Sequence, residues 1–274
     1  MEINFKIGNF KVGQGTEIFL IAGPCVIESE KHALKMAESI AKICERLKVP
    51  YVFKASYDKA NRTSVRSFRG PGLKKGLAVL RKIKRTLGLP LLTDVHELSH
   101  VGPAAEICDV LQIPAFLCRQ TDLLLEAGKS RRVVNIKKGQ FVSPWEIRNA
   151  VEKVRSTGNE KIMVTERGAM FGYNNLVVDM RSFPIMREMG YPVVFDVTHS
   201  VQIPAGAGHQ SGGQAQFIPH LARAGVAAGV DGVFMEVHDR PEKALSDGAN
   251  ALHLRLLPRL LGKLLEINRV VKTA

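Results

Sequence analysis

The sequence predicts an α/β protein, a (β/α)8 TIM barrel with an N-terminal β-hairpin, in which residues 1–274 form a single domain. Three observations predict this fold. Eight short apolar runs alternate with longer amphipathic stretches, the runs recur roughly every twenty to forty residues, and no interior segment is rich enough in Pro, Gly or Ser to separate two domains. Strands that alternate with helices indicate a parallel sheet. Eight such units favour a closed barrel, which is typically about 250 residues long.

The hairpin is predicted at residues 1–14. Apolar and polar residues alternate on both sides of Gly8-Asn9, as in Phe5 before this turn and Phe10 and Val12 after it. Alternation with a period of two is typical of strands, and a glycine-containing pair between two such runs predicts a tight turn. Because it precedes the first barrel strand, we expect the hairpin to cover the bottom of the barrel.

The barrel strands are predicted from runs of apolar and β-branched residues. They are Ile18–Ala22, Tyr51–Lys54, Pro90–Val95, Val110–Ile113, Val133–Lys137, Lys161–Thr165, Val193–Val197 and Gly232–Val237. The predicted helices include His32–Leu47, Leu73–Leu87, Ser143–Ser156, Ala215–Ala228 and Ala251–Val271. Ser143, Pro144 and Glu146 combine an N-cap, a proline at the first helical position and a capping-box glutamate. The glycine-rich segment Gly206–Gly213 predicts a mobile loop after strand seven.

The composition indicates a folded protein outside the membrane. Hydrophobic residues make up 45% of the chain and charged residues 24%, which allows a substantial core. No run of about 18 apolar residues is present, and the N-terminus lacks the basic-then-apolar pattern of a signal peptide. We therefore expect a cytoplasmic protein with no membrane partner.

The net charge of +13, from 39 basic and 26 acidic residues, has three interpretations. The excess can lie on a soluble surface, or it can attract anionic substrates into a basic cleft. Nucleic-acid binding is disfavoured, because aromatic residues are only 6% of the chain and the basic residues are scattered. We expect small-molecule substrates and no nucleic-acid partner.

Basic residues at the predicted strand ends indicate an anion site. In a barrel, catalytic groups come from the carboxyl ends of the strands and the loops that follow. Basic side chains there are costly to bury unless they meet an anion. Six of them are predicted to form one site for phosphorylated ligands: Lys54, Lys59, Arg62, Arg119, Lys137 and Arg167. The alternative is that the strand-end bases pair with Asp94, Asp196 and Glu166 in the barrel mouth.

Cys25 belongs to a candidate metal site. The chain has no CxxC motif, and in a reducing cytosol its cysteines are expected to be free thiols, with Cys44, Cys108 and Cys118 in the core. Units one, seven and eight are neighbours in a closed barrel and supply four candidate ligands: Cys25, His199, Glu236 and Asp247. Such ligands suit a divalent ion such as Zn²⁺, Fe²⁺, Mn²⁺ or Co²⁺. Taken singly, a cysteine or histidine is more often a packing residue, so this prediction depends on the barrel.

Segments along nearly the whole chain resemble one enzyme family. They are Lys54–Ser64, Phe68–Leu73, Thr93–Glu97, Gln112–Leu117, Arg119–Asp122, Asn135–Lys138, Gln140–Pro144, Arg167-Gly168, Phe171–Tyr173, Asn175–Met180 and Phe195–His199. In this order they resemble the 3-deoxy-D-manno-octulosonate 8-phosphate (KDO8P) synthases of the DAHP synthase superfamily. The resemblance implies the barrel fold and an aldol-type condensation.

Two details of the resemblance narrow the class. The DAHP synthases, which use erythrose 4-phosphate, have Lys-Pro-Arg-Thr-Ser, whereas this chain has Ala60-Asn61 between Lys59 and Arg62, as in users of arabinose 5-phosphate. Metal-independent members carry asparagine at the position of Cys25, so the cysteine implies the metal-dependent class. The segment Pro241–Asp247 also resembles that class, although the preceding Asp239-Arg240 departs from its pattern.

The resemblance implies a reaction and an assembly. Phosphoenolpyruvate, D-arabinose 5-phosphate and water would give KDO8P and phosphate, for KDO and lipopolysaccharide biosynthesis, with a divalent metal cofactor in a homotetramer. One alternative is a DAHP synthase that uses erythrose 4-phosphate. A second is an inactive barrel that binds anions or nucleic acid.

The resemblance also implies roles for individual residues. Catalysis is assigned to Cys25, Lys59, His199 and Asp247. The substrate-binding set is Lys54, Lys59, Asn61, Arg62, Ser64, Asp94, Gln112, Ala115, Arg119, Lys137, Arg167 and Gln202. Within this set, Lys54, Lys137, Arg167 and the backbone near Ala115 would meet phosphoenolpyruvate. Arg62 and Ser64 would meet the sugar phosphate, Asn61 would contact the sugar hydroxyls, and Arg119 would reach in from a neighbouring subunit.

Overall fold

Eight parallel strands form the centre of the computed structural model, which describes residues 3–62, 64–203 and 212–273. In chain order the strands are β1 (Phe19–Gly23), β2 (Tyr51–Lys54), β3 (Leu91–Asp94), β4 (Val110–Ile113), β5 (Val133–Lys137), β6 (Ile162–Glu166), β7 (Val193–Asp196) and β8 (Gly232–His238). Each strand pairs in parallel with the next, and β8 also pairs with β1, so the barrel is closed. All eight predicted strands are confirmed, and no end differs from the prediction by more than one residue.

Helices follow the strands and form the outer layer. They are α1 (Glu30–Leu47), α2 (Leu73–Leu87), α3 (Leu98–Ile107), α4 (Thr121–Lys129), α5 (Arg148–Arg155), α6 (Ser182–Arg187), α7 (Ile218–Ala227) and α8 (Leu257–Thr273). Every residue of the eight strands is buried, because the helices cover their outer face and side chains fill the interior. Helices α3, α4 and α6 were not among those predicted.

Local sequence sets the ends of α1. The Ser29 hydroxyl accepts a hydrogen bond from the His32 N–H at 3.1 Å, as an N-cap does. The helix ends at Lys48, whose backbone is left-handed with φ 57°. Met36 and Ile40 recur one turn apart on the buried face, which packs the helix against the barrel.

The predicted helix Ser143–Ser156 is shorter in the structure, where α5 begins at Arg148. The capping box is present: the Ser143 N–H donates to Glu146 Oε2 at 3.1 Å, and the Glu146 N–H donates to Ser143 Oγ at 3.2 Å. The Arg148 N–H, however, donates to the carbonyl of Trp145, only three residues back. The box therefore caps a tight turn of 3₁₀ type, and α-helical bonding starts after it.

Two other predicted helices also begin too early. At the start of Ala251–Val271, residues Leu252–His253 pair in parallel with the end of β8, and a 3₁₀ turn separates them from α8. Ala215–Ala228 likewise begins with a 3₁₀ turn and becomes α-helical at Ile218. Local apolar periodicity does not distinguish a short extension of the sheet or a 3₁₀ turn from the first turn of a helix.

The predicted loop Gly206–Gly213 lies mostly outside the described residues. Its last two residues pair antiparallel with Gln202–Ile203. A Cβ atom at Gly213 would lie 2.6 Å from the backbone carbonyl carbon of Ala249, so this close approach requires glycine. The pairing brings Gln202 beside the loop after β8.

The N-terminal hairpin closes one end of the barrel, as predicted. Phe5–Ile7 pairs antiparallel with Phe10–Val12. Ile7 and Val12 are buried in one apolar cluster with side chains of the barrel interior, among them Phe19. The open end of the barrel is therefore the carboxyl end of the strands. No helix among the described ranges combines the length and apolar character needed to span a bilayer.

Two glycines within helices give a matched test of packing. In α7, a Cβ atom at Gly225 would lie 2.2 Å from the ring of the fully buried Phe195, whereas Gly262 in α8 has open space around it. Alanine favours a helix over glycine by about 1 kcal/mol at both positions. Gly225→Ala should nevertheless destabilise the protein by about 1–3 kcal/mol, because the added methyl overpacks the core.

Gly262→Ala is the control and should leave the unfolding midpoint unchanged or raise it. Urea unfolding followed by circular dichroism compares the two variants with the unmodified protein. Equal midpoints for both variants would show that α7 does not pack against Phe195 as described.

Candidate active site

A cavity of about 1120 Å³ opens at the carboxyl end of the strands. Twelve of the residues predicted for the site line it: Lys54, Lys59, Asn61, Arg62, Asp94, Gln112, Ala115, Lys137, Arg167, His199, Gln202 and Asp247. Cys25 and Glu236 are buried beneath this lining and contact several of its members. The barrel therefore brings the two predicted sets, for anions and for a metal, into one place.

Two other predicted residues, Ser64 and Arg119, neither line the cavity nor lie beneath its lining. Ser64 is half-buried, and its hydroxyl accepts a hydrogen bond from the Arg66 N–H at 3.2 Å. Arg119 is exposed and borders a separate small pocket of about 100 Å³ beside Phe141 and Glu146. Their roles in binding the sugar phosphate, for Arg119 from a neighbouring subunit, stay predictions.

Lys137 is held by the carboxylate of Asp196 and by the aromatic ring of Phe234. Its ammonium forms an ion pair with Asp196 Oδ2 and lies 3.9 Å from the centre of the Phe234 ring. The same Asp196 oxygen lies 2.7 Å from His199 Nδ1. Burial would raise the pKa of Asp196, but His199 and Lys137 outweigh it and hold that pKa well below its usual value. The ionised Asp196 thus fixes both neighbouring side chains.

A buried carboxylate at the end of β8 neutralises the cations of β2 and its loop. Glu236 Oε1 accepts a hydrogen bond from Lys54 Nζ at 3.0 Å and lies 3.8 Å from Lys59 Nζ and 3.5 Å from His199 Nε2. Burial would raise the pKa of Glu236, but Lys54 and His199 lower it, so the group is ionised. Its second oxygen, Oε2, is buried, and no described residue forms a hydrogen bond with it. An unpartnered carboxylate oxygen in this position is a vacant acceptor for a cation.

The thiol of Cys25 lies against the loop after β8. Its Sγ is 2.8 Å from Ser246 Oγ and donates to Asp247 Oδ2 at 3.0 Å. Asp247 has a left-handed backbone with φ 50°, and this turn aims its side chain at the cysteine. Burial raises the pKa of the thiol, and the charges of Asp247 and Glu236 raise it further. These effects outweigh the opposing charges of Lys59 and Lys54, so the thiol is protonated when no metal ion is bound.

The four predicted metal ligands converge. Ligand atoms of Cys25, Glu236 and Asp247 all lie within 4.8 Å of one another. His199 Nε2 lies 3.5 Å from Glu236 Oε1 and 3.9 Å from Asp247 Oδ2. These residues come from units one, seven and eight, and the pairing of β8 with both β1 and β7 brings them together.

Arg167 presents a free donor to the cavity. Its Nη2 donates to Gln202 Oε1 at 2.9 Å, whereas Nη1 is buried and has no hydrogen-bond partner among the residues that the structure describes. The turn that carries it is fixed by Glu166 Oε1, which accepts the N–H groups of Arg167 and Gly168 at 2.9 and 2.7 Å. Burial lowers the pKa of the guanidinium, although Asp196 and Glu166 oppose this effect. A buried guanidinium with an unused N–H is a binding group for an anion.

Arg62 lies at the rim, next to the metal-ligand cluster. Its Nη2 donates to Ser246 Oγ, its Nη1 lies 3.7 Å from Asp247 Oδ1, and its Nε donates to the Phe68 carbonyl at 3.2 Å. Asn61 beside it is exposed. The segment that resembles the sugar-phosphate motif therefore borders the open side of the cavity.

A network of side-chain hydrogen bonds connects neighbouring strands of the barrel and ends at Asp94. Thr165 donates to Asn135 at 2.7 Å, Asn135 donates to Gln112 at 2.8 Å, and Gln112 donates to Asp94 at 2.6 Å. Ser56 donates to the other oxygen of Asp94. Because Gln112 Oε1 is occupied by Asn135, its NH₂ group must face Asp94 and the cavity. This network therefore orients the Gln112 amide so that it offers an N–H donor to the cavity.

Several residues of the site escaped prediction from the sequence. Asp196 was considered only as a pairing partner in the barrel mouth, and that alternative is correct for its pair with Lys137. Elsewhere in the mouth, Lys54 pairs with Glu236, and Glu166 pairs with Lys138 at 3.4 Å. Ser246, Phe234, Ser56, Asn135 and Thr165 were not predicted. Ser246 adjoins Asp247 in sequence, but nothing local distinguishes the others from ordinary strand residues.

The family of this protein follows from comparison with known sequences. The model of the DAHP synthetase I family matches residues 2–273. This chain belongs to the DAHP synthetase I family. The resemblance inferred from the sequence motifs is thereby confirmed.

Curated relatives within the DAHP synthetase I family match the chain over almost its full length. The 2-dehydro-3-deoxyphosphooctonate aldolase of Pelobacter propionicus is 60% identical over 266 residues, which is 97% of this chain and 98% of that protein. The protein of the same name from Geotalea uraniireducens is 60% identical over 267 residues, which is 97% of this chain and 98% of that protein. The protein of the same name from Geobacter sulfurreducens is 59% identical over 272 residues, which is 99% of this chain and 100% of that protein.

Two aspartates test the importance of the buried ion pair. Asp196 is fully buried between Lys137 and His199, whereas Asp179 forms an exposed pair with Arg181. Asp196→Asn should lower the free energy of unfolding by about 3–5 kcal/mol, because it leaves a buried lysine without its counter-charge. Asp179→Asn, the matched control, should have no measurable effect. Equal stability of the two variants in urea titrations would contradict the arrangement described.

Proposed function

We propose that this protein is a 3-deoxy-8-phosphooctulonate synthase. It would condense phosphoenolpyruvate with D-arabinose 5-phosphate and water to give KDO8P and phosphate. The observation that carries the proposal is the convergence of Lys54, Lys137 and Arg167 on one cavity directly above Cys25 and Glu236. The names of the relatives support the same substrate class, since a phosphorylated 2-dehydro-3-deoxyoctonate is chemically the product KDO8P.

Phosphoenolpyruvate would occupy the inner part of the cavity. Its phosphate and carboxylate require several cationic donors, and Lys54, Lys137 and the free Nη1 of Arg167 supply them. The backbone near Ala115 and the NH₂ group of Gln112 add neutral donors at the same depth. Since each of these donors is fixed by its own partner, little ordering is needed when the substrate binds.

Arabinose 5-phosphate would enter at the rim. Arg62 and Asn61 border the open side, so Arg62 can hold the sugar phosphate while Asn61 contacts the hydroxyls. The aldehyde then lies deeper, towards Lys59, whose side chain is largely buried next to Glu236. This orientation places the reacting carbons between the two anion-binding regions, which is chiefly a matter of positioning.

The reaction requires proton transfers at two oxygens. Carbon 3 of phosphoenolpyruvate forms a bond to carbon 1 of the sugar, and the aldehyde oxygen takes a proton, for which Lys59 is our candidate. Water adds to carbon 2, and phosphate then leaves as the ketone forms. Asp247 lines the cavity, and its Oδ1 is not the oxygen that faces Cys25 and His199, so this carboxylate is our candidate to take the proton that the water releases.

The residues present fit the divalent metal that the family resemblance implies. Cys25, His199, Glu236 and Asp247 form a thiol, imidazole and carboxylate set suited to Zn²⁺, Fe²⁺, Mn²⁺ or Co²⁺, and Glu236 has an unpartnered buried oxygen. The carboxylates of Glu236 and Asp247 attract a cation locally, whereas the site as a whole has an excess of positive charge, which suits anionic substrates. Five cationic side chains and four carboxylates balance to one net positive charge: Lys54, Lys59, Arg62, Lys137 and Arg167 against Asp94, Asp196, Glu236 and Asp247. A bound ion would supply Lewis-acid chemistry, by activating water or orienting the aldehyde.

The assembly we propose is a homotetramer in the cytoplasm, acting in KDO and lipopolysaccharide biosynthesis without nucleic-acid or membrane partners. Exposed aromatic residues on the loops after β4, β5 and β6 support self-association. They are Phe116, Phe141, Trp145, Phe171 and Tyr173. Arg119 is adjacent to Phe141, so a subunit that packs on this surface would bring its Arg119 towards the neighbouring cavity.

Metal removal tests the proposed cofactor. Phosphate release from the two substrates should be lost after dialysis against EDTA and should return on addition of a divalent ion. Cys25→Ala should lower metal content and activity together, because it removes a ligand. Cys44→Ala, which changes another buried cysteine in α1, should retain both. Full activity after verified metal removal would exclude the metal from the reaction.

Substrate choice separates the proposal from its alternative, a DAHP synthase. We expect kcat/KM with arabinose 5-phosphate to exceed that with erythrose 4-phosphate by at least about 100-fold, since hydrogen bonds to the longer sugar are lost with the shorter one. Both sugars are assayed with phosphoenolpyruvate under the same conditions. Preference for erythrose 4-phosphate would favour the alternative. Folded, metal-loaded protein that turns over neither sugar would reject both.

Mixed tetramers test the shared site. Arg119→Ala and Lys59→Ala should each be nearly inactive alone. Co-expressed, they should regain activity, because a subunit with Lys59 can then receive Arg119 from its neighbour. Absence of recovery in hybrids verified by mass spectrometry would place Arg119 outside the site or within its own subunit's site.

A further inference from the structure

A second cluster of metal-ligating side chains lies outside the cavity. Glu28 is in the loop between β1 and α1, His32 is in the first turn of α1, and His238 ends β8. None of the three lines the cavity, yet one ligand atom from each lies within 4.8 Å of the other two. Asp239, next in the chain, lies on the same side and contacts both histidines.

The spacing of these atoms suits a tetrahedral ion. Glu28 Oε1 lies 3.3 Å from His238 Nε2, and Glu28 Oε2 lies 3.8 Å from His32 Nδ1. Zinc bonds of about 2.0–2.2 Å in a tetrahedron place neighbouring ligand atoms roughly 3.3–3.5 Å apart. One ligand atom from each side chain already lies within 4.8 Å of the other two, so side-chain rotations would bring all three to one ion.

His32 directs an unused lone pair into this cluster. Its Nε2 lies 3.1 Å from Asp239 Oδ1, to which it donates, and Asp239 is held in turn by Lys35 at 2.7 Å. The proton is thereby placed on Nε2, so Nδ1 carries a lone pair. This atom is buried, and within the described part of the chain it has no hydrogen-bond partner. A carboxylate behind a histidine, with the other ring nitrogen free, is the usual arrangement of a metal-bound histidine.

A metal ion can replace the proton on Nε2 of His238. Its Nδ1 accepts the Arg240 N–H at 2.9 Å, so its Nε2 proton is shared with Glu28. An ion bound at Nε2 would take the place of that proton, which would move to Nδ1, 3.4 Å from Asp239 Oδ1. The freed N–H belongs to an exposed residue and can bind water.

We propose that Glu28, His32 and His238 form a second divalent-metal site, for Zn²⁺ or an ion of similar preference, with Asp239 as the hydrogen-bonding partner of the histidines. The site is structural. Glu28 Oε1 also accepts the Leu245 N–H at 2.8 Å, so an ion here ties the loop after β1 to the loop after β8. It does not depend on the reaction proposed above.

Zinc titration of metal-free protein tests the site. The unmodified protein should bind two equivalents, measured by mass spectrometry of the protein after gel filtration, and His32→Ala should bind one. The control is His220→Ala, which changes an exposed histidine in α7 and should still bind two. The thermal midpoint should rise by several degrees more with zinc in the control than in His32→Ala. Equal zinc content in both variants would overturn the proposal.

Cobalt distinguishes this site from the one at Cys25. In Cys25→Ala the sulfur-to-cobalt absorption should vanish while one equivalent of ion remains, and the double variant with His32→Ala should bind none. His32→Gln repeats the test with a side chain of similar length, and circular dichroism confirms that each variant is folded. Complete loss of metal in Cys25→Ala would contradict the second site, whereas loss only of the sulfur signal supports it.

Discussion

The hydrogen bonding of β8 to both β1 and β7 is the constraint on which the rest of the structure depends. It closes the barrel and makes the first and last units neighbours, although their residues are more than two hundred positions apart. Gly232 allows this contact, because a Cβ atom there would lie 2.6 Å from the ring of Phe19. Only after closure do Cys25, His199 and Asp247 meet around Glu236. An open sheet with the same strands would have an anion-binding edge but no such cluster.

Charge balance inside the barrel mouth is the second organising feature. Each buried lysine has its own carboxylate, as in the pairs of Lys54 with Glu236 and Lys137 with Asp196. Buried ion pairs contribute little net stability, because desolvation offsets their attraction. Their retention is better explained by the groups that they hold at the mouth. Arg167 lines the cavity and Glu236 lies beneath the lining, and neither Arg167 Nη1 nor Glu236 Oε2 has a hydrogen-bond partner among the described residues. The mouth is therefore arranged for an anion and a cation together.

Much of the fold could be predicted, and the failures have physical reasons. The ends of the strands were predicted to within one residue. A strand that is buried on both faces is a nearly continuous apolar run, so its ends are visible in the sequence. Helix starts were less accurate: at Arg148 and Leu257 a 3₁₀ turn comes first, and its composition matches that of a helix. Asn135 and Thr165 could not be predicted as site residues, since their role depends on hydrogen bonds between strands.

The sequence alone determined the fold class, the family and the chemical types of the site residues, because periodicity and strand-end polarity are local properties and the family segments are contiguous. Tertiary structure decided how those residues are used. It paired Lys54 with Glu236 where the sequence offered several carboxylates, left Ser64 and Arg119 outside the cavity, and brought His32 beside His238. These outcomes depend on distances across the closed barrel, and a linear sequence contains no such distances until β8 meets β1.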